Sequence, residues 1–343
     1  MGIPPETARH WIKKVNAFNN IDPAIRDSMG AVGTNMVPAL VWAKTKDPDG
    51  TSYSTLLKPA AVEESPEDIL ERLKVRLEAI RPAPSIARPK STDDKLLNFL
   101  PLFDVHLSMR VGDYGTAQAV ERLREGSSDI LDRLPRASHV VIVNGGDFTH
   151  QNDPSNLTPQ SKHPLPVDME YDDTTDIATD VTVEIIEKAL RVSDRVIYQP
   201  LRGNHDPNTA RILRAALRQR YRRCERVEIL TDNTDFFARR WKNNLLCAHH
   251  GDIRGKQAKD LVLGFASRYA EAWGKSKYRE LWVGHLHHIK SQEFPGMLVN
   301  QCRAICPKDR HSIEGLWESE SEMVGVTYHE NGGRYSGANH YFG

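Results

Sequence analysis

Five short clusters of Asp, Asn and His punctuate the chain, and each directly follows an apolar run. Asp104-Val-His106 follows Phe99 to Phe103, and Gly145-Gly-Asp-Phe-Thr-His150 follows His139 to Val143. Leu201-Arg-Gly-Asn-His-Asp206 ends the run that starts at Arg195. His249-His-Gly-Asp252 follows Leu245 to Ala248, and Gly284-His-Leu-His-His288 follows Leu281 to Val283. Short apolar runs of this kind read as buried strands, and Gly203 lets the chain turn sharply at the end of one of them. The fold must therefore gather several strand ends, which is where an α/β sheet builds its site. Eight of the fourteen histidines lie inside these clusters. Packing explains a single core histidine but not five such clusters.

Between the clusters, apolar runs alternate with helical spacing, which predicts an α/β sheet covered by helices. Helices are expected at Thr116–Leu134 (interrupted near Gly126), Asp180–Val192, Asn208–Arg223 and about Lys256–Trp273. Pro101 is awkward inside the Leu96–Phe103 strand. The tail is more β-like, at Met297–Val299 and Met323–Tyr328.

Residues 1–60 read as a small separate domain. Helical spacing covers Pro5–Phe18, and Asp22-Pro23 starts a second helix. A β-hairpin follows, with strands at Val41–Lys46 and Thr51–Lys58 around Asp47-Pro-Asp-Gly50. This order suits a winged helix-turn-helix that would enter DNA, and equally a docking or oligomerisation unit. Residues 61–95 hold a helix opened by Ser65-Pro66 and then a Pro-rich linker. The remaining domain spans 96–343, with an inserted loop at about 151–179. Loops of that length often serve as lids or binding loops.

Lys+Arg and Asp+Glu both number 46, so any attraction to nucleic acid must come from local patches. No apolar stretch reaches the roughly 20 residues of a membrane helix, and no signal-peptide pattern is present. The four cysteines form neither a disulfide framework nor a zinc knuckle, which places the chain in a reduced, cytoplasmic setting.

Clustered Asp, Asn and His supply oxygen and imidazole nitrogen without thiolate. That donor set fits manganese foremost, with iron, zinc and nickel also acceptable. Seven candidate ligands exceed the needs of one ion. Two divalent ions about 3.5–4 Å apart, sharing a carboxylate, is the economical arrangement and recurs in phosphoester hydrolysis. Such a pair would make a bridging hydroxide near neutral pH, and an imidazole would protonate the leaving oxygen.

Asp104-x-His106, Gly146-Asp147-x-x-His150, Gly203-Asn-His-Asp206, His250-Gly251 and Gly284-His-x-His287 resemble the five ordered motifs of the calcineurin-like metallophosphoesterases. The match covers roughly residues 97–290. The resemblance implies a four-layer α/β/β/α sandwich and water-driven hydrolysis of phosphomonoesters or phosphodiesters. It implies that Asp104, His106 and His287 hold one metal, that Asp147 bridges, and that Asn204, His250 and His285 hold the second. His205 would act as general acid or phosphate contact, with Asp206 orienting it. His150 would approach the site or substrate. His249 and His288 are extra to the motifs.

For substrate, the stretch from Arg191 to Arg226 carries ten arginines and three acidic residues. Arg211, Arg214, Arg218 and Arg222 share a helix face at three- and four-residue spacing. That face could track a phosphate backbone or simply be solvated. Arg202 and Arg110 could each contact phosphate. The expectation is a dimetal phosphodiesterase acting on DNA, similar to the Mre11/SbcD-type nuclease branch. The alternatives are a phosphatase or phosphodiesterase on nucleotides or phosphoproteins, and a non-catalytic DNA-binding scaffold. Expected partners are nucleic acid and a protein partner or second copy, without membrane.

Overall fold

The computed structural model describes residues 41–46, 52–57, 85–231, 235–253, 257–308 and 319–342, the first two segments as backbone. The chain divides into two compact units, Met1–Ile80 and Arg81–Gly343. In the first, β1 (Val41–Lys46) and β2 (Ser52–Leu57) form an antiparallel hairpin from Val41↔Leu57 to Lys46↔Ser52. The helices expected before this hairpin, and the one opened by Ser65, lie outside the described residues.

The second unit is built on two sheets. The six-stranded sheet holds β3 (Asp93–Leu102), β4 (Ala137–Asn144), β5 (Arg195–Pro200), β6 (Val227–Ile229), β12 (Ser321–His329) and β13 (Gly333–Phe342), in the order β13-β12-β3-β4-β5-β6. Strands β3 to β6 run parallel, and β12 and β13 join antiparallel. The five-stranded sheet holds β7 (Phe236–Trp241), β8 (Asn244–His249), β9 (Tyr278–Val283), β10 (Lys290–Phe294) and β11 (Met297–Gln301), in the order β10-β11-β9-β8-β7.

Burial sorts the layers. Leu97, Phe99, Val141, Val143 and Ile197 of the larger sheet meet Phe237, Leu246, Ala248 and Trp282 of the smaller one. The opposite face of the larger sheet packs on α1 (Thr116–Arg133), α2 (Tyr171–Val192) and α3 (Thr209–Tyr221). The outer face of the smaller sheet packs on α4 (Ala258–Arg268) and α5 (Ala270–Gly274). The result is the expected α/β/β/α sandwich. Strands covered on both faces carry continuous apolar runs rather than alternation, which is why these runs were legible in the sequence.

Several boundaries differ from the sequence reading, each for a local reason. Helix α1 is unbroken at Gly126, because that position packs against the sheet. A Cβ there would meet Phe342 at 2.9 Å and Met323 at 3.1 Å. Pro101 is tolerated because β12 pairs with β3 only as far as Val326↔Phe99, so no ladder bond is lost on that side. Helix α2 begins at Tyr171, so the inserted loop ends near residue 170 rather than 179. Asp172 and Asp173 fall in its first turn, where acidic residues favour the helix dipole. Thr174, Thr179 and Thr182 are accommodated in this helix by donating to carbonyls four residues back. The helix expected at 256–273 breaks at Tyr269 into α4 and α5. Strands β6, β7, β10 and β13 were not anticipated.

Candidate metal centre

Every cluster lies at the carboxyl end of a strand. Strands β3, β4 and β5 are in parallel register, Leu102↔Asn144 and Asn144↔Pro200, so the loops carrying Asp104, Asp147 and Asn204 emerge side by side. In the other sheet, His249 is paired with Val283, which brings His250 and His285 together. The two sheets thus deliver their polar ends to one place. Gly146 and Gly203 let the loops after β4 and β5 meet backbone to backbone. A Cβ on Gly146 (φ +96°) would lie 2.7 Å from the Gly203 nitrogen, and one on Gly203 would overlap the Asp147 carboxylate.

Asp104 (φ 53°), His106 (51°), Asp147 (51°), His285 (71°) and His287 (55°) all adopt the left-handed region. Non-glycine residues rarely do so, and such strain concentrates at functional sites.

Two compact groups contain a carboxylate, Asp104 with His106 and His287, and Asp147 with His250 and His285, and a third joins His106 to His150 and His205. His287 Nε2 is 3.5 Å from Asp104 Oδ1, and His250 Nε2 is 3.2 Å from Asp147 Oδ2. Asp147 Oδ2 also lies 3.8 Å from His106 Nε2, so this one carboxylate faces both groups. Asn204 Oδ1 lies 3.0 Å from His250 Nε2. The surrounding backbone fixes the rotamers: His250 Nδ1 is 3.1 Å from the Gly145 carbonyl, and the His285 amide donates to Asp104 Oδ2 at 2.8 Å.

This arrangement fits divalent metal ions. Asp104 and Asp147 are 0% and 2% exposed, and burying two carboxylates so close together requires compensating positive charge. Asp104 Oδ1 and His106 Nε2 are buried with no hydrogen-bond partner among the described residues. Without a metal, a proton fills the role. Burial opposes charging of His250, but Asp147, Asp104 and Asp252 outweigh it and hold the ring up at about 10. Burial likewise opposes ionisation of Asp147, but His250, His205 and His106 hold its carboxyl well below the usual range. Burial and then His205 push His106 well down, which favours its neutral ring. Burial and His250 lower His285 in the same direction.

His205 is half-buried beside this centre. Its Nδ1 is 2.9 Å from the His150 carbonyl, and its ring stacks on the His150 ring with centroids 5.0 Å apart. His150 Nδ1 in turn lies 3.1 Å from His106 Nδ1. His150 therefore enters the site itself. Asp206 does not orient the His205 ring as expected. It is 1% exposed and turns to the backbone. Its two oxygens accept the amides of Gly203 and Phe148 at 2.8 and 2.7 Å, and those of Asp147 and Thr149 at 3.1 and 3.3 Å. Burial and the neighbouring Asp147 charge push Asp206 up to about 6.

Arg202 is also committed elsewhere. Asp235 holds it bidentately at 2.6 and 2.9 Å, and Asp252 lies at 3.5 Å. A guanidinium so engaged is a weaker candidate for phosphate than the sequence suggested. On α3, Ala210, Leu213, Leu217 and Tyr221 are buried, which turns Arg211, Arg218 and Arg222 outward and leaves Arg214 half-exposed. His249 is buried, with the Gly251 amide donating to its Nδ1, and burial pushes it down to about 4. His288 is exposed.

A cleft of about 1040 Å³ opens onto Asn204, His205 and His285. Thr158, Gln160 and Ser161 of the inserted loop, the start of α4 and the β10–β11 hairpin all line it. The sequence offered no sign of Lys259, Lys290, Gln292 or Phe294 in this wall. The one available signal was the alternation from Lys290 to Phe294, in a strand too polar to register as an apolar run.

No family model matches the chain, and no curated protein matches it. Solved structures similar to it include an archaeal phosphodiesterase, at TM-score 0.38 and 13% identity over 71% of this chain and 99% of that one. A predicted phosphoesterase from Streptococcus pneumoniae gives TM-score 0.30 and 12% identity, over 72% and 97%. A zinc complex of the Vps29 protein from Entamoeba histolytica gives 0.30 and 12%, over 72% and 99%. At such values the functional argument rests on the side chains.

Proposed function

We propose that this chain is a dimetal phosphoester hydrolase whose substrate is a nucleic-acid phosphodiester. The observation that carries the first part is the pair of Asp/His groups, joined by the approach of Asp147 to His106, that bury unpartnered polar atoms. Asp104, His106 and His287 would hold one divalent ion, and Asn204, His250 and His285 the other, with Asp147 between them. The ions would polarise the phosphoryl oxygens and supply the activated water.

The protein's own groups do the rest. Asp206 fixes the loops after β4 and β5 to each other, which keeps Asp147 and Asn204 in register. His205, anchored through Nδ1 on the His150 carbonyl, leaves Nε2 to hand a proton to the leaving oxygen. The nucleic-acid reading is supported by α3, which starts three residues after Asp206 and carries exposed Arg211 and Arg218, with exposed Arg222 capping its end. Cations spaced along one face can neutralise successive phosphates.

The test is the metal-stripped chain with Mn²⁺ restored, assayed on single- and double-stranded DNA and on p-nitrophenyl phosphate and its bis-ester. Cleavage of DNA that is lost in His205→Ala supports the whole reading. Hydrolysis of the small esters alone keeps the phosphoesterase and removes DNA. No hydrolysis of any ester with any divalent ion overturns the enzyme.

A further inference from the structure

The cleft beside the metal centre is built from one face of a hairpin. Lys290, Gln292 and Phe294 alternate along β10, so their side chains share a face. Across the ladder, Gln301 pairs with Lys290 and Val299 with Gln292, and all five line the cleft. Lys259 and the buried Leu261 of α4 line the same cleft.

This wall has a definite chemistry. Val299 and Leu261 are buried and form an apolar floor flanked by the half-buried Phe294 ring. Gln292 and Gln301 add carboxamides, each both donor and acceptor. Gln301 is fixed in place, donating through Nε2 to the His288 carbonyl at 2.7 Å, on the loop that also carries His285 and His287. Lys290 and Lys259 are exposed cations. The volume far exceeds what a phosphate needs and matches sites for organic ligands of roughly 300–1,000 Å³.

We infer that this cleft is a nucleoside subsite, which receives the base and sugar attached to the phosphorus held at the metal centre. This rests on the phosphoesterase reading above. A base is planar and apolar on its faces and carries amide-like donors and acceptors on its edge. It stacks against an apolar wall while carboxamides meet its edge. The lysines suit a flanking phosphate. A lipid chain would make no use of the Gln292 carboxamide or the lysines, and a plain alkyl or aryl ester would leave most of the cleft empty.

The experiment uses the full chain and two Mn²⁺-dependent substrates, thymidine 5′-p-nitrophenyl phosphate and bis-p-nitrophenyl phosphate. The expected wild-type preference in kcat/KM is about tenfold or more for the nucleoside ester, on the scale of base–aromatic stacking. In the double variant Lys290→Ser, Gln292→Ser, and separately in Phe294→Leu, that ratio falls towards one, mainly through KM. Equal kcat/KM for both esters in the wild type, or a ratio unmoved by these variants, overturns the subsite. Absence of all hydrolysis defeats the enzyme reading instead. Thymidine monophosphate binding by titration calorimetry then decides the subsite: binding weakened in the variants supports it, and no binding overturns it.

Discussion

His250 Nε2 stands 3.2 Å from Asp147 Oδ2, and this contact joins the two sheets. Asp147 follows β4 of the larger sheet, and His250 follows β8 of the smaller one. The site is therefore a clasp between layers as well as a cluster of ligands.

Asp147→Asn should uncouple the two ligand groups, because Asp147 Oδ2 faces both His250 and His106. Metal affinity is expected to fall at least about 100-fold, the upper range for losing even an indirect support of a ligand. Metal content by mass spectrometry after dialysis, measured beside circular dichroism, is the check; retention of two ions would contradict the assignment.

His205→Ala should behave differently. Hydrolysis is expected to drop by about 10²–10⁴, typical of a lost general acid, while bound metal stays the same. Loss of metal in this variant would make His205 a ligand instead.

Asp206→Ala removes the acceptor of four backbone amides in a buried loop. Buried donors without partners cost about 1–3 kcal/mol each, so a loss of about 3 kcal/mol or more is expected. Thermal melts of the metal-free variant against the metal-free parent would show it. An unchanged midpoint would return Asp206 to a purely catalytic role.

Metal binding should release a proton. His250 is held at about 10, above its ordinary 6.5. In the metal-free protein its contribution to stability is therefore full below 6.5 and is lost as pH rises through about 10. A metal needs the neutral ring, so binding expels that proton. Apparent affinity for Mn²⁺ should then tighten by about tenfold per pH unit over roughly pH 6–8. Calorimetry in buffers of different ionisation enthalpy measures the release, and none would be observed if His250 were already neutral.

Replacing Arg211, Arg218 and Arg222 together by Gln should weaken DNA binding and lower the salt slope of log K by about 2–3, at a little under one per phosphate contact on a duplex. Hydrolysis of p-nitrophenyl phosphate reports whether the centre survives. An unchanged slope would make α3 an ordinary solvated helix.

The sequence by itself determined the clusters of Asp, Asn and His and the strands that carry them. Runs such as Val140–Val143 are apolar because both faces of β4 are covered, and a polar cluster can follow such a run only where the strand leaves the core. The tertiary structure decided what adjacency in sequence cannot encode. Asp206 sits next to His205 in the chain but serves the loop after β4, because burial demands that four amides find an acceptor. Arg202 precedes the Gly203–Asp206 turn, yet Asp235 and Asp252 of the other sheet's loops claim it. The Lys290–Gln292–Phe294 wall came into view only when β10 was paired with β11, since a polar edge strand carries no apolar signal. Which strand ends meet is set by how two sheets pack face to face, and that packing depends on residues more than a hundred positions apart.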